Sequence, residues 1–233
     1  RGQIFSEGER YSGEDLRREE IVRKGNRQLE KWAGDFGKEY TERNWASLNA
    51  MERLYKRNFG ITRTEMNRQF LNGLNRSMRI LEVGCNIGNQ LLCLQKMGFN
   101  NLYGIEPQDY ALELAKKRLR EIQIIKGDIF DIPFKDNFFD LVFTSGVLIH
   151  ISPKKIKRAL REIYRCSRKY IWGYEYYSEK YEEIPYRGEK NLLWKANFAK
   201  TFEETFPDLK PIKVEYFKYL NNDNRDIMFL LKK

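Results

Sequence analysis

Short apolar runs alternate with amphipathic segments through the middle of the chain, and this alternation limits the possible folds more than any other feature of the sequence. The apolar runs predict strands at 79–83, 102–106, 122–126, 139–144 and 169–175. The intervening segments predict helices near 89–97, 109–120 and 153–167. Asp109 and Ser152 are suitable N-cap residues for the second and third of these helices. Continuously apolar strands separated by helices are typical of a parallel sheet covered on both faces.

The parallel pattern ends after residue 175. An aromatic, irregular stretch leads to a predicted helix near 195–206. Two further apolar runs, 212–219 and 226–232, are placed to pair as a closing hairpin. The sequence therefore predicts the α/β class: a Rossmann-like, doubly wound sheet of seven strands, mostly parallel, with an antiparallel closing hairpin.

The N-terminal third of the chain has a different texture. Residues 1–30 are charged with few apolar positions, which predicts a mobile arm. Residues 31–78 predict a helical layer with two apolar faces, one of Leu48, Met51, Leu54 and Tyr55 and one of Met66, Phe70, Leu71 and Leu74. Thr62 and Glu65 predict a capping box between them. We thus expect an arm (1–30), a helical cap (31–78) and a core (79–233) with a substrate-facing insertion around 176–198.

Composition narrows the possible partners and location. The 43 lysines and arginines exceed the 33 acids, giving a net charge of +10, which favours anionic partners and keeps nucleic acid among them. The positive charges are scattered, as on a solvated surface. Three cysteines and one histidine predict reduced thiols and no metal site. No apolar run reaches the roughly 18 residues that a membrane helix needs, and no secretory signal is visible, so we expect a cytoplasmic protein.

The turn between the first strand and its helix reads EVGCNIG, residues 82–88. Glycines at this place in an α/β sheet let the backbone approach a ligand. The dinucleotide fingerprint G-x-G-x-x-G would need glycine at 84, 86 and 89, and this chain has Gly84, Asn86 and Asn89. Two of the three glycines are missing, which argues against a nicotinamide dinucleotide.

Three carboxylates follow three successive predicted strands. Glu82 ends the first, Glu106 ends the second, and Asp128 follows the third. S-adenosylmethionine has no phosphate but carries a sulfonium and a free amino acid, so acidic residues suit it. Glu106 is placed to accept from the ribose hydroxyls, and Asp128 from the adenine amino group, with Ile129 and Phe130 beside the ring. The sequence therefore predicts S-adenosylmethionine as the cofactor.

With these residues in place, 79–175 resembles a class I S-adenosylmethionine-dependent methyltransferase. EVGCNIG resembles that family's acidic-x-Gly-x-Gly-x-Gly loop, with Asn86 at the middle glycine, and GIEP, GDIFDIPF and FDLVFTSGVLIHI resemble its later motifs. Asn tolerates positive φ, so the turn is feasible. By this resemblance the cofactor contacts are Glu82, Gly84, Asn86, Gly88, Glu106, Pro107, Asp128, Ile129 and Thr144.

Two further blocks, KWAGDFGKEYTERN (31–44) and WGYEYYSEKYEEIPYRGEKNLLWKANFA (172–199), resemble the methylases associated with pseudaminic acid biosynthesis. The resemblance implies a lid of Trp32, Phe36, Tyr40 and Arg43, with Tyr40 or Arg43 reaching the cofactor carboxylate. The same aromatics, spaced i, i+4, i+8, are equally typical of a stripe that packs a helix onto the sheet.

The predicted acceptor side rests on His150 and the aromatic insertion. His150 follows the fourth strand and has the ordinary pKa of a general base, or it orients the loop. Arg187 is suited to clamp a carboxylate or phosphate. The predicted acceptor-binding residues are Glu175, Tyr177, Tyr186, Arg187 and Lys195.

The leading hypothesis is a methyltransferase acting on the O or N atom of a small anionic acceptor, such as an acidic or nucleotide-linked sugar. The first alternative is an RNA methyltransferase, which the net charge favours. Against it, FTSG replaces the Asn/Asp-Pro-Pro-Tyr/Phe loop used on exocyclic base amines. The second alternative is an inactive, cofactor-binding regulator.

Overall fold

The computed structural model describes residues 27–44 and 47–233. Residues 1–26 of the predicted arm lie outside this range, whereas 27–30 open the first described helix. Seven strands form the main sheet, and its order is β3-β2-β1-β4-β5-β9-β8. The strands are β1 (Arg79–Val83), β2 (Asn101–Glu106), β3 (Gln123–Lys126), β4 (Phe139–Ser145), β5 (Ser167–Tyr176), β8 (Lys210–Lys218) and β9 (Arg225–Lys232). A separate two-stranded ribbon pairs β6 (Glu182–Glu183) with β7 (Trp194–Lys195).

The pairing directions confirm the predicted sheet. β1 to β5 are mutually parallel, and β9 runs antiparallel to both β5 and β8. The chain builds β1, β2 and β3 outward in one direction and then returns to place β4 on the other side of β1. This reversal opens a crevice at the carboxyl ends of β1 and β4, where doubly wound sheets bind their ligands.

Helices cover both faces of the sheet. They are α1 (Arg27–Ala33), α2 (Asp35–Arg43), α3 (Leu48–Phe59), α4 (Arg63–Leu71), α5 (Asn89–Lys96), α6 (Asp109–Arg118), α7 (Ile156–Cys166) and α8 (Phe198–Thr205). A 3-10 turn, Leu148–His150, follows β4. One core cluster packs α7 and α8 on the sheet, and a second packs α4, α5 and α6 on the opposite face. Both clusters end at the crevice and so hold its walls in place.

Local signals explain how the helical layer begins and ends. Ser47 caps α3 by accepting from the Ala50 backbone N–H at 3.2 Å, and α3 ends at Gly60, whose φ is 75°. The predicted capping box of Thr62 and Glu65 is confirmed at the start of α4. Leu54 was expected on the buried face of α3, but it is 42% exposed. That face is narrower than predicted because α3 packs mainly through Leu48 and Met51, which meet Cys93 of α5.

Two predicted caps are wrong. Gln108, not Asp109, caps α6, because its side-chain oxygen accepts from the Ala111 backbone N–H at 2.8 Å. Asp109 instead pairs with Lys126 at 2.6 Å on the surface. Ser152 lies in a turn before α7, where its carbonyl accepts from Lys155 and Ile156, and the helix itself starts at Ile156.

Candidate active site

A cavity of about 250 Å³ occupies the crevice at the carboxyl ends of β1 and β4. The loop after β1, the end of β2, the loop after β3 and the turn after β4 form its floor and one wall. Helices α1 and α2 cross its mouth and supply Gln28, Leu29, Trp32, Gly37 and Tyr40 to the lining. The cavity is therefore bounded by the sheet below and by the helical layer above.

The turn EVGCNIG adopts a left-handed conformation at alternate positions. The φ angles are 72° at Gly84, 47° at Asn86 and 75° at Gly88. The asparagine thus takes the conformation of the middle glycine, as the sequence predicts. Its side chain also donates to the Thr41 hydroxyl at 2.8 Å, which ties the turn to α2. A glycine there would keep the turn and lose this tie.

Glu106 is buried at the end of β2 and holds two backbone groups. Its carboxylate accepts from the N–H of Asn86 at 2.8 Å and from the N–H of Gln108 at 3.0 Å. Burial raises its pKa to about 7, while these hydrogen bonds oppose the rise. Each oxygen keeps acceptor capacity. The carboxylate therefore fixes the glycine turn and can also accept from a ligand hydroxyl.

Glu82 is the second buried acid, 3% exposed at the end of β1. Its Oε2 is buried and has no hydrogen-bond partner among the described residues. Burial raises the pKa of this carboxyl well above its usual value, and the positive charge of Arg63 opposes the shift. An unpartnered buried carboxylate oxygen is costly. A cationic ligand group in the cavity would supply the missing partner.

The loop after β3 brings Asp128, Ile129 and Phe130 to the cavity wall. Asp128 Oδ1 accepts from the Phe130 backbone N–H at 2.7 Å, which folds the loop back on itself. Ile129 and Phe130 are buried beside it. The wall thus combines a carboxyl group with an apolar surface that suits a flat ring.

His150 lines the cavity from the end of the 3-10 turn. Its Nδ1 lies 2.8 Å from the Leu192 carbonyl oxygen, so Nδ1 carries the proton and Nε2 is the free acceptor. Burial lowers the pKa of His150 to about 4. The imidazole is therefore neutral at physiological pH, with Nε2 able to accept a proton.

Comparison with known proteins agrees with this geometry. The family described as "Methyltransferase domain" matches residues 81–170, which contain the glycine turn, Glu106, Asp128 and His150. The matched region runs from β1 to β5, and the chain is therefore similar there to a methyltransferase domain.

The proteins that are similar to this chain match a region longer than residues 81–170. A sterol 24-C-methyltransferase of Schizosaccharomyces pombe is 26% identical over 174 residues, which cover 66% of this chain and 46% of that protein. The chain thus spans less than half the length of that relative. A methyltransferase from Leishmania major shares the fold, with a TM-score of 0.68, 17% identity and coverage of 94% and 90% of the two chains. A Burkholderia thailandensis N1-methyltransferase, solved with 1,6-didemethyltoxoflavin and S-adenosylhomocysteine, has a TM-score of 0.58, 13% identity and coverage of 73% and 76%.

Helix α1 is held beside the cavity by the polar side chains of Gln28 and Lys31. Gln28 donates from Nε2 to the Asn191 carbonyl at 3.0 Å and accepts at Oε1 from the Ser152 N–H at 3.3 Å. Lys31 adds an ion pair with Glu189 at 2.6 Å. The helix is thereby held between the turn before α7 and the insertion between β5 and α8.

Trp32 packs directly on His150. Their ring centroids lie 4.1 Å apart, and the indole also makes edge contacts with Phe36 and Tyr40. The predicted i, i+4, i+8 stripe therefore forms one aromatic cluster over the cavity. Burial raises the pKa of Tyr40 to about 12, so its hydroxyl stays protonated.

The structure brings together half of the predicted site residues. Those that line the cavity are Tyr40, Glu82, Gly84, Asn86, Glu106, Pro107, Asp128, Ile129 and His150. Arg43, Gly88, Thr144, Glu175, Tyr177, Tyr186, Arg187 and Lys195 do not line it.

Glu175 and Thr144 do not line the cavity but lie next to the turn after β4, which does. The buried Glu175 carboxylate accepts from the N–H groups of Val147 and Ile149 at 3.3 and 3.4 Å, and it is hydrogen-bonded with Thr144. Burial raises the Glu175 pKa to about 7. The two residues therefore set the position of the turn that carries His150.

The other predicted acceptor residues lie farther out. Arg187 is exposed at the tip of the insertion with a φ of 53°. Lys195 donates to Asn224 Oδ1 at 2.7 Å and lies over the Tyr176 ring. Tyr177 packs edge-on against Tyr216, and Tyr186 lies against Phe36 at the outer side of the aromatic cluster.

Arg63 is a residue that sequence reasoning missed. It is fully buried beneath the cavity and donates to Asn67 at 2.9 Å and to Ser145 at 3.1 Å, with its guanidinium 3.8 Å from the Tyr174 ring centroid. Its position offered one signal, because an arginine in the first turn of a helix opposes the helix dipole. Such a residue needs another reason to be there, here the polar and aromatic groups behind the cavity.

Within residues 27–44 and 47–233, no helix is both long and apolar enough to cross a bilayer. Within the same ranges, no group of three or more His, Cys, Asp or Glu side chains could hold a metal ion.

Proposed function

We propose that this protein transfers the methyl group of S-adenosylmethionine to a small, uncharged and largely apolar acceptor. The observation that carries the proposal is the charge of the cavity wall. Three carboxyl groups line it at the strand ends, while its described lining contains no lysine or arginine. Such a wall favours a cationic cofactor and disfavours a negatively charged second ligand.

The residues of the cofactor end fit S-adenosylmethionine group by group. Glu106 would accept from the ribose hydroxyls, and Ile129 and Phe130 would flank the adenine, with Asp128 as the acceptor for its amino group. The unpartnered Oε2 of Glu82 would accept from the ammonium group. The cofactor supplies an activated methyl group on a sulfonium, whose departure needs no protonation.

The protein's remaining tasks are to align the acceptor and to exclude water. Helix α1, held by Gln28, covers the cavity, and the cluster around Trp32 closes the same end. His150 accepts the acceptor's proton at Nε2, since its Nδ1–H is engaged by Leu192. Its low pKa keeps it unprotonated throughout the neutral range and also makes it a weaker base than an exposed imidazole.

The neutral acceptor replaces the anionic one expected from the sequence. That expectation rested on Arg187 and Lys195, which do not line the cavity. In this proposal the acceptor lies beside Leu29, His150 and Ile151, which line the cavity. The relative from S. pombe is named for a sterol, which is also an apolar acceptor. The narrower resemblance to methylases associated with pseudaminic acid biosynthesis stays a prediction.

The test is a transfer assay with methyl-labelled S-adenosylmethionine. A small-molecule extract is separated into neutral, anionic and cationic fractions, and a total RNA fraction is included. We expect label in a neutral compound that gains one methyl group. Label confined to the anionic or RNA fraction contradicts the neutral acceptor. Tight cofactor binding without transfer to any fraction supports an inactive regulator instead.

A further inference from the structure

The cavity lining contains a second buried polar atom that has no hydrogen-bond partner among the described residues. This atom is a donor, whereas Glu82 Oε2 is an acceptor. Trp32 Nε1 is buried and finds no hydrogen-bond partner among the described residues. Indole N–H is a donor only, so its missing partner must carry a lone pair. Trp32 lines the cavity, and therefore a bound ligand can supply that partner.

S-adenosylmethionine brings a group that needs such a donor. Its amino acid end carries a carboxylate as well as an ammonium. Arginine and lysine are the usual carboxylate partners in proteins, and neither is present in the described cavity lining. Neutral donors must therefore hold the carboxylate.

Most side-chain amides of the lining are already engaged. Asn86 donates to Thr41, Gln90 to the Met51 sulfur, Gln28 to the Asn191 carbonyl, and Asn44 to the Tyr40 carbonyl. The buried indole N–H of Trp32 has no such engagement within the described chain. Its ring is also fixed in place by His150, Phe36 and Tyr40, so little conformational freedom is lost when it donates.

We propose that Trp32 Nε1–H donates a hydrogen bond to the carboxylate of S-adenosylmethionine, so that an indole takes the place of a basic residue. The inference rests on the proposed function, because it assumes that this cofactor occupies the cavity. It also gives α1 a role in cofactor recognition, and it assigns the carboxylate to a different residue from the Tyr40 or Arg43 that the sequence resemblance implies.

Calorimetry with two ligands isolates the contact. Decarboxylated S-adenosylmethionine keeps the sulfonium and ammonium and lacks only the carboxylate. Trp32→Phe keeps an aromatic ring and removes only the N–H. We expect the variant to bind S-adenosylmethionine about tenfold more weakly than the wild type and to bind the decarboxylated compound with unchanged affinity. The matched control is Trp172→Phe, which removes another unpartnered buried indole N–H, in the core away from the cavity.

An NMR titration of the wild type covers the case in which Trp32→Phe folds poorly. In protein with ¹⁵N-labelled tryptophan, the Trp32 indole proton should shift downfield on addition of S-adenosylmethionine and not on addition of the decarboxylated compound. Equal losses for both ligands, or no loss for either, overturn the role of Trp32. Failure of the wild type to bind either ligand contradicts the proposed function itself, so the two failures are distinguishable.

Discussion

The two ends of the cavity are built in different ways. At the cofactor end, Glu82, the glycine turn and Glu106 lie within 25 residues of one another, and one strand, turn and helix carry most of the geometry. At the acceptor end, Gln28 joins residues 124 and 163 positions away in the chain, and His150 holds a carbonyl 42 positions away. Local structure thus forms the proposed cofactor end, and long-range packing forms the proposed acceptor end.

The largest expected effect is at the acceptor end. His150→Ala removes the Nε2 acceptor and should lower turnover about 10²–10⁴-fold, the usual contribution of a general base. Cofactor affinity should fall far less than turnover, because on the cofactor side His150 only packs on the ring of Trp32. Single-turnover rates and calorimetry on the same preparation check both parts. A wild-type rate would leave His150 as a packing residue only.

The matching change at the cofactor end is Glu106→Ala. It removes the ribose acceptor and frees the N–H groups of Asn86 and Gln108, so S-adenosylmethionine affinity should fall by about 1.5–3 kcal/mol. The control is Asp109→Ala, three residues later, whose carboxylate is 71% exposed and pairs only on the surface. Similar affinities for the two variants would refute the ribose assignment.

The protonation of Glu106 makes cofactor binding depend on pH. Burial raises its pKa from 4.5 to about 7, so the ligand-free protein retains this proton up to neutral pH. The ribose hydroxyls bind the carboxylate best in its ionised form, so affinity should rise with pH through 7 and be about fivefold to tenfold lower at pH 6 than at pH 8. Calorimetry at pH 6, 7 and 8 checks this. Glu106→Gln, which cannot titrate at this position, should show a smaller change of affinity across the three values, and what remains belongs to Glu82.

The smallest expected effect is that of Gln28, whose side chain holds α1 against the turn before α7 and against the insertion. Gln28→Ala removes two hydrogen bonds at the rim, together worth about 1–2 kcal/mol, and leaves Trp32 and the sheet intact. Amide exchange of Ser152 should become faster, and the KM for the acceptor should rise a few-fold with cofactor affinity almost unchanged. Unaltered Ser152 exchange would show that Lys31 and the aromatic cluster hold α1 without Gln28.

The difference between the two ends of the cavity also explains which features could be predicted from the sequence. The strands, the closing hairpin and the conformation of the turn at Asn86 followed from apolar runs and from the φ preference of asparagine. Ser152 was predicted as a cap because Ser-Pro usually starts a helix, yet here its carbonyl closes a turn first. The positions of long side chains were harder to predict. Arg187 was placed in the site by its chemistry, whereas its position depends on an insertion whose course no local pattern specifies.

Burial of polar groups was the least predictable feature. Arg63 and Trp32 acquire their environments from segments far away in the chain, since Arg63 contacts β4 and β5 and Trp32 contacts the turn after β4. Neither contact leaves a periodic signal in the sequence.

The central claim is that the acidic strand ends and the glycine turn hold S-adenosylmethionine. A crystal structure of the protein with S-adenosylhomocysteine tests it most directly. The account predicts the ribose hydroxyls on Glu106, the ammonium group on Glu82, and adenine between Ile129 and Phe130. A nucleoside bound elsewhere, or a cavity that stays empty at saturating ligand, would contradict it.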